Sequence, residues 1–309
     1  MRNNYTIEIL EENLLKENYV AGKNLIYALF TAIALEKPLL IDGPPGVGKT
    51  ELAKVVAKMF ETDLIRLQCY EGIDCSKVLY EYNYAKQLSC QNVYRDGFKE
   101  MFEGKSFDEA VDIIEKEVNM FDDRFIIKRP ILEALVPSDN KMKVCLLDEI
   151  DKTDSEVEAM LLEPLSDYSM SIPERGTIVC NPETKPFFIL TSNNQRELSE
   201  ALRRRCVYVY VEYPSLEVEA SIIQRKANVD FDIAKKVAGL VNKIREKVKL
   251  RQYPSTSESI EWANLLVNTI GVEDGELDTN ILQDTLSCII KNKGDLEKVK
   301  EFLKRGGSK

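Results

Sequence analysis

Leu39-Leu40-Ile41-Asp42-Gly43-Pro44-Pro45-Gly46-Val47-Gly48-Lys49-Thr50-Glu51-Leu52-Ala53 runs from an apolar strand, through a glycine-rich turn, into a helix. The apolar run stops at Gly43. Leu52, Val55, Val56 and Met59 then recur along one side of a helix that starts near Thr50. Between the two lies G-x-x-x-x-G-K-T. Glycine alone lets backbone N–H groups close around a polyphosphate with the positive φ values such a loop needs. The helix N-terminus adds partial positive charge at the same point. In this pattern Lys49 reaches the β- and γ-phosphates and the Thr50 hydroxyl holds Mg²⁺. Gly43, Pro44, Pro45, Gly46, Val47, Gly48 and Glu51 complete the expected nucleotide-binding set.

Composition narrows what surrounds this loop. At 309 residues, 44% hydrophobic and 30% charged, the chain has the make-up of a globular protein long enough for two domains. A net charge of −10 lacks the basic footprint that sequence-blind nucleic-acid binding requires. Seven cysteines with no C-x-x-C pair fit reduced thiols better than a disulfide frame or a zinc site. The start carries no signal-peptide pattern. The longest uncharged run of the N-terminal part, Asn24 to Leu35, is too short to span a bilayer. These features predict a cytoplasmic protein with no membrane partner. There is no histidine, so any base must be a carboxylate, lysine, tyrosine or cysteine.

Working outward, Leu25, Leu29, Ala32 and Ile33 predict a helix within Tyr19–Glu36. Val20-Ala21-Gly22 before it reads either as a turn meeting an adenine ring or as a plain helix N-terminus. Leu64 to Cys69 alternates as a second strand. Residues 70–140 are irregular and tyrosine-rich (Tyr70, Tyr80, Tyr82, Tyr84, Tyr94), too long for a simple connection, so they predict an elaboration with its own helices. Within it, Ser106-Phe107-Asp108-Glu109 is a capping box opening an amphipathic helix with Val111, Ile114 and Val118.

Lys143-Val144-Cys145-Leu146-Leu147-Asp148-Glu149-Ile150-Asp151 is the third strand, apolar until it meets two carboxylates. Beside a phosphate-binding loop the first carboxylate orders the metal's shell and the second can polarise an attacking water. Ser169 to Phe188 reads as an inserted hairpin, and Phe187 to Thr191 as a fourth strand ending in Ser192-Asn193-Asn194. Leu198 to Arg205 leads into a fifth strand, Cys206 to Val211. Its three consecutive arginines can bind RNA, form a solvated run, or reach a nucleotide on a neighbouring subunit. Beyond Pro214-Ser215 only helical periodicity remains: Phe231 to Leu250, a Ser255–Glu258 capping box leading to Ile260, Trp262, Ala263, Leu266 and Ile270, and helices near 277–290 and 295–304. Asn292-Lys293-Gly294-Asp295 matches a guanine-reading pattern, but it sits in this helical part and the third strand ends in D-E. It is taken as a helix–helix turn, and the nucleotide as ATP.

The order G-P-P-G-V-G-K-T, V-C-L-L-D-E-I-D, T-S-N-N, A-L-R-R-R-C, then helices, resembles the AAA+ ATPases and, among them, the MoxR family. The run Gln68-Cys69-Tyr70-Glu71-Gly72 through Tyr80–Tyr84 is most similar to its CoxD-like branch. The resemblance implies an α/β fold with a five-stranded parallel sheet in the order 5-1-4-3-2, a helix-2 insert, a pre-sensor hairpin and an all-helical lid. The domains would span 1–213 (insert roughly 70–140) and 214–309. It implies Walker A at Gly43–Thr50 and Walker B at Asp148 and Glu149, with Thr50 and Asp148 on the metal. It implies sensor 1 at Asn193 and an arginine finger at Arg205, with Arg204 as the near alternative. Family members form ring hexamers and commonly act with a von Willebrand factor A domain partner, and some assist maturation of metalloenzymes. Where many lids carry a sensor-2 arginine, this chain has Glu258. The tyrosines at 80–84 stand for a pore loop or for packing inside the insert. The resemblance therefore implies Mg-ATP hydrolysis that remodels a client protein. A nucleic-acid loader and a nucleotide-gated scaffold with little turnover are the alternatives.

Overall fold

The computed structural model describes residues 5–90, 92, 106, 121–173, 175–270 and 279–304. Two helices, α1 (Ile7–Lys16) and α2 (Lys23–Ala34), precede β1 (Leu39–Asp42), α3 (Lys49–Met59) and β2 (Leu64–Gln68). An insert comes next, with α4 (Cys75–Val78), β3 (Tyr80–Tyr82), β4 (Ile126–Lys128) and α5 (Pro130–Leu135). The chain then forms β5 (Val144–Asp148), α6 (Ser155–Ser166), the hairpin β6 (Ser169–Ile172) and β7 (Gly176–Val179), β8 (Phe187–Ser192), α7 (Glu200–Arg205) and β9 (Val207–Tyr210). The rest is helical: α8 (Leu216–Ala227), α9 (Phe231–Lys247), α10 (Thr256–Asn264), α11 (Thr279–Thr285) and α12 (Lys293–Lys304).

Five strands make one parallel sheet in the order β2-β5-β8-β1-β9. Counted along the chain, and read from the β9 edge, that is the expected 5-1-4-3-2. The central strands are apolar throughout because both faces are covered, and the two-residue side-chain period divides their side chains between two cores. Leu39, Ile41, Val144, Leu146, Phe187 and Ile189 meet α1, α2 and α3. Leu40, Cys145, Leu147, Phe188 and Leu190 meet α5, α6 and the hairpin. β1, β5 and β8 therefore deliver Asp42, Asp148 and Ser192 to the same edge, where a parallel sheet binds its ligands.

The insert and the hairpin touch each other. The Tyr82 hydroxyl donates to Pro173 O (3.0 Å), and Arg175 holds both carboxylate oxygens of Asp123 (2.7 and 3.1 Å). Tyr80 and Tyr82 pack edge to face with centroids 5.8 Å apart, and Tyr82 packs on Phe121 at 5.5 Å. Tyr84 is exposed but its ring also meets Tyr82, with centroids 6.5 Å apart, so all three tyrosines at 80–84 make ring contacts within the insert. The capping box at 106–109, its helix, and Tyr94 lie outside the described residues.

Beyond Pro214 a third core is built, among the described residues, from C-terminal ones alone, and Trp262 is fully buried in it. The Ser255–Glu258 capping box is present in full. α9 stops at Lys247, but Val248 and Leu250 stay in the core because an extended segment also faces it with alternate residues. Ile270 is exposed rather than on the apolar face. Its N–H bonds Leu265 O (3.1 Å), five residues back, and this wider turn rotates Ile270 out of register with the preceding helix. The Asn292 Oδ1 accepts from Gly294 N (2.9 Å), and buried Asp295 accepts from Arg251 N (2.9 Å), so the guanine-like motif is a helix start. Among the described residues no helix is long and apolar enough to cross a membrane. All seven cysteines are free thiols.

One buried ion pair joins α8 to α9. Arg245 Nη1 and Nη2 donate to Glu219 (2.6 and 2.9 Å), whose side chain is fully buried, and Ser259 Oγ adds a third bond at 3.0 Å. The guanidinium also lies 4.2 Å from the Tyr213 ring centroid. Glu219→Ala leaves that guanidinium inside without a counter-charge and is expected to cost about 3–5 kcal/mol in urea unfolding. The Glu219→Ala, Arg245→Met double variant should recover most of the loss, because the unpaired charge is then gone.

Candidate functional site

The loop between β1 and α3 takes its shape from glycines. Gly46 has φ +73°, and a Cβ there would overlap Ser255 at the start of α10. At Gly43, with φ +152°, a Cβ would overlap the Val211 carbonyl after β9. Any side chain at either position would both strain the loop and push apart the elements packed on it. Tyr19, buried ahead of α2, donates its hydroxyl to Gly48 O (3.2 Å) and braces the loop from the other side. The Ser257 hydroxyl reaches Gly46 O at 3.4 Å, so the C-terminal helices contact the loop directly.

Lys49 opens α3 and is buried at 7% exposure. Its ammonium donates to Gly43 O (2.5 Å), Pro44 O (2.9 Å) and Asn193 Oδ1 (2.8 Å). Burial pulls its pKa down to about 8, against the opposing pull of Asp151, Asp42, Asp148 and Glu149. Thr50 Oγ1 lies 3.0 and 3.2 Å from the two Asp148 carboxylate oxygens. The sequence signals for these groups were the glycine-rich loop and two strand ends, and the fold brings all of them together.

Glu149 comes directly after β5 in the left-handed region, φ +58°, which turns its side chain away from the strand line. Asn193 Nδ2 donates to its Oε1 (3.0 Å), while Gln68 Nε2 (2.9 Å) and Lys152 Nζ (2.7 Å) donate to its Oε2. Asn193 therefore bridges Lys49 and Glu149 with the two ends of one amide. Glu51 lines the same cavity and pairs with Lys54 (3.2 Å) and with Lys226 of α8 (3.1 Å). Of the other candidate bases, Cys69 is pushed up to about 12 by burial and by the nearby Asp148, and burial also raises the Tyr19 hydroxyl. Glu51, Asp148 and Glu149 are the carboxylates that line the cavity beside the loop.

Five contributors went unread in the sequence. Thr191 is a buried hydroxyl that donates to Asp148 Oδ1 (2.6 Å) and accepts from Glu149 N (2.9 Å). Asp151, also buried, accepts from Asn193 N (3.1 Å) and Gln195 N (2.9 Å) and so fixes the turn after β8. Its signal was available, since it closes the same acidic run as Asp148 and Glu149. Gln68 and Arg66 sit on β2 and Lys152 just past Glu149; polar residues on an edge strand are ordinary, and nothing in the sequence set them apart.

The cavity bounded by these groups is about 510 Å³ and is lined by Pro45, Gly46, Gly48, Lys49, Thr50, Glu51, Lys54, Arg66, Gln68, Asp148, Glu149, Thr191, Asn193 and Ser257. A second, of about 840 Å³, is lined by Val20, Gly22, Val47, Tyr213, Val218 and Ile222 among others. Gly22 caps α2 and also lines this cavity, so a helix start and a turn open to a ligand are compatible there. Neither Arg204 nor Arg205 lines either cavity. Arg204 pairs with Glu200 (2.5 Å), and Arg205 Nη1 donates to Ala201 O (2.9 Å) while its buried Nε has no partner. Glu258 faces its own helix cap, where its carboxylate accepts from Ser255 N (2.7 Å).

The Thr50 hydroxyl and Asp148 carboxylate are hard oxygen donors of the kind that hold Mg²⁺ beside substrate phosphates. Among the described residues no cluster of three or more acidic, cysteine or histidine side chains could hold a metal by itself, so phosphate oxygens and water would have to complete the shell of a cation here. A family model described as the AAA domain, dynein-related subfamily, matches residues 38–206. No curated protein matches the chain.

Proposed function

The chain belongs to the AAA domain family, in its dynein-related subfamily, and from that premise we propose that it hydrolyses Mg-ATP to remodel or activate a partner protein. The observation that carries the proposal is the Asn193 amide, which joins Lys49 to Glu149 across 2.8 and 3.0 Å. A γ-phosphate placed against Lys49 would thereby sit next to the carboxylate that must orient water. Lys49 binds the β- and γ-phosphates, Thr50 and Asp148 hold Mg²⁺, Glu149 polarises the water, and Asn193 positions it. Mg²⁺ supplies positive charge at the transferring phosphoryl oxygens. The larger cavity takes the adenine, against Val20, Gly22 and Val47.

Residues 1–213 form the nucleotide-binding domain in this reading and 214–309 a helical lid, supported by a C-terminal core that, among the described residues, draws on none before 220. The chain acts as a homo-hexameric ring, with Arg205 completing a neighbour's site. Membership of the MoxR family, CoxD-like branch, rests on the ordered motifs and on the insert docked against the hairpin. A von Willebrand factor A domain partner and a metalloenzyme client follow from that membership, as does a cytoplasmic location.

Phosphate release from Mg-ATP, measured at physiological salt with and without DNA or RNA, tests this reading against a nucleic-acid loader. The rate should stay within about twofold on adding either polymer, because a chain of net charge −10 offers few phosphate contacts. A salt-sensitive stimulation of several-fold would put the loader ahead.

A further inference from the structure

Arg66 lies on β2, in register with Leu146 of β5, and Gln68 is in register with Asp148. The side-chain alternation puts Arg66, Gln68 and Asp148 on one face of the sheet, the face on which α3 presents Thr50. There the guanidinium meets the Asp148 carboxylate asymmetrically. Nε (3.1 Å) and Nη2 (2.6 Å) both donate to Oδ2. Oδ1 instead accepts from the Thr191 hydroxyl at 2.6 Å and from Thr50 Oγ1 at 3.0 Å, and Thr50 Oγ1 also lies 3.2 Å from Oδ2. Asp148 is almost wholly buried, whereas the Arg66 side chain is half exposed and lines the phosphate cavity.

We propose that Arg66 and the divalent cation are alternative partners of Asp148 Oδ2, so that Arg66 stands in for the metal's charge and must yield to it. This rests on reading the site as one for Mg-nucleotide. An oxygen that already accepts two N–H donors from a cation, with Thr50 Oγ1 a further 3.2 Å away, has both lone pairs engaged, and the guanidinium's charge repels a second cation placed there. Thr191 stays in place through the exchange, because it occupies the other oxygen. The guanidinium has somewhere to go: Nη2 is also 2.6 Å from Gln68 Oε1, and the half-exposed side chain can move along the cavity wall towards the phosphates.

The exchange predicts opposite effects with and without the metal. Removing Arg66 frees Oδ2 for the metal but takes a positive charge from a cavity that binds a polyanion. The test titrates Mg²⁺ against the binding of a fluorescent ATP analogue to the full-length wild-type chain, Arg66→Gln and Arg66→Lys. For Arg66→Gln the Mg²⁺ concentration giving half of the metal-dependent tightening should fall about fivefold or more, while affinity in EDTA should weaken several-fold. Arg66→Lys keeps the charge but cannot place two donors on one oxygen, so it should lie between the two and serves as the readout if Arg66→Gln unfolds. A purely structural Arg66 would instead let Asp148 wander. The Mg²⁺ requirement would then rise or stay level in both variants, and either result overturns the exchange. Failure of the wild-type chain to bind nucleotide at all would remove the reading beneath it. Wild-type binding that tightens with Mg²⁺, with no change in the variants, would remove the exchange alone.

Discussion

Glu149→Gln is expected to keep ATP affinity within a few-fold of wild type and to lower turnover by about 10²–10⁴. The substitution preserves shape, and the Asn193 amide can still donate to the remaining oxygen at the Oε1 position. It removes the charge that draws a proton from water as the oxygen attacks. The absence of histidine matters here, since no imidazole can take over the role. Cys69, pushed up to about 12 by its burial, is a protonated thiol near neutral pH and cannot do so either. Turnover within a few-fold of wild type, measured by phosphate release, would eliminate Glu149 as the base. A variant that also lost nucleotide binding would show that its bonds to Gln68, Lys152 and Asn193 hold the cavity's shape.

Arg205→Ala carries the other large effect, a loss of about 10³–10⁵ in turnover if it stabilises the charge that spreads over a transferring phosphoryl group. Arg205 lines neither cavity of its own chain. Its helix α7 comes after the turn that carries Asn193, and that turn is held by Asp151 and by Glu158, whose buried carboxylate accepts from Ser199 N (2.9 Å) and pairs with Arg196. A finger acting between subunits makes a definite mixing prediction. Arg205→Ala subunits keep their own Glu149, and Glu149→Gln subunits keep their own finger. A mixed ring then contains some interfaces with both groups whole, and activity should rise above either variant alone. Mixed rings shown to form, but inactive, would place the arginine in its own site. Loss and rescue with Arg204→Ala, in place of Arg205→Ala, would assign the finger to Arg204, whose partner within the chain is the exposed Glu200.

Short local patterns were the legible part of the sequence. The loop from Gly43 to Thr50 and the apolar run into Asp148 and Glu149 are such patterns. Their strands fall where periodicity put them, because a doubly covered parallel strand must be apolar on both faces. The Ser255–Glu258 cap was readable for the same reason: both its bonds join residues three apart. Arg66, Gln68 and Thr191 were not readable, since each acts through a strand neighbour some 40 to 80 residues away in the chain (|i−j| 82, 81 and 43). Ile270 was misplaced because periodicity assumes a uniform turn, and the wider turn at Leu265–Thr269 breaks it.

The C-terminal helices meet the loop where Ser255 packs beside Gly46 and the Ser257 hydroxyl reaches Gly46 O, and Lys226 pairs with Glu51 at the start of α3.

The most direct measurement follows the fate of bound ATP. Radiolabelled ATP is mixed with an excess of the wild-type chain and Mg²⁺, retained nucleotide is collected on filters over time, and its products are separated. The chain is expected to retain ATP and convert it to ADP and phosphate, whereas Lys49→Ala, stripped of its charge-assisted phosphate contact, should retain none. ATP held tightly by the wild-type chain yet recovered intact would contradict hydrolysis and leave a nucleotide-gated scaffold in its place.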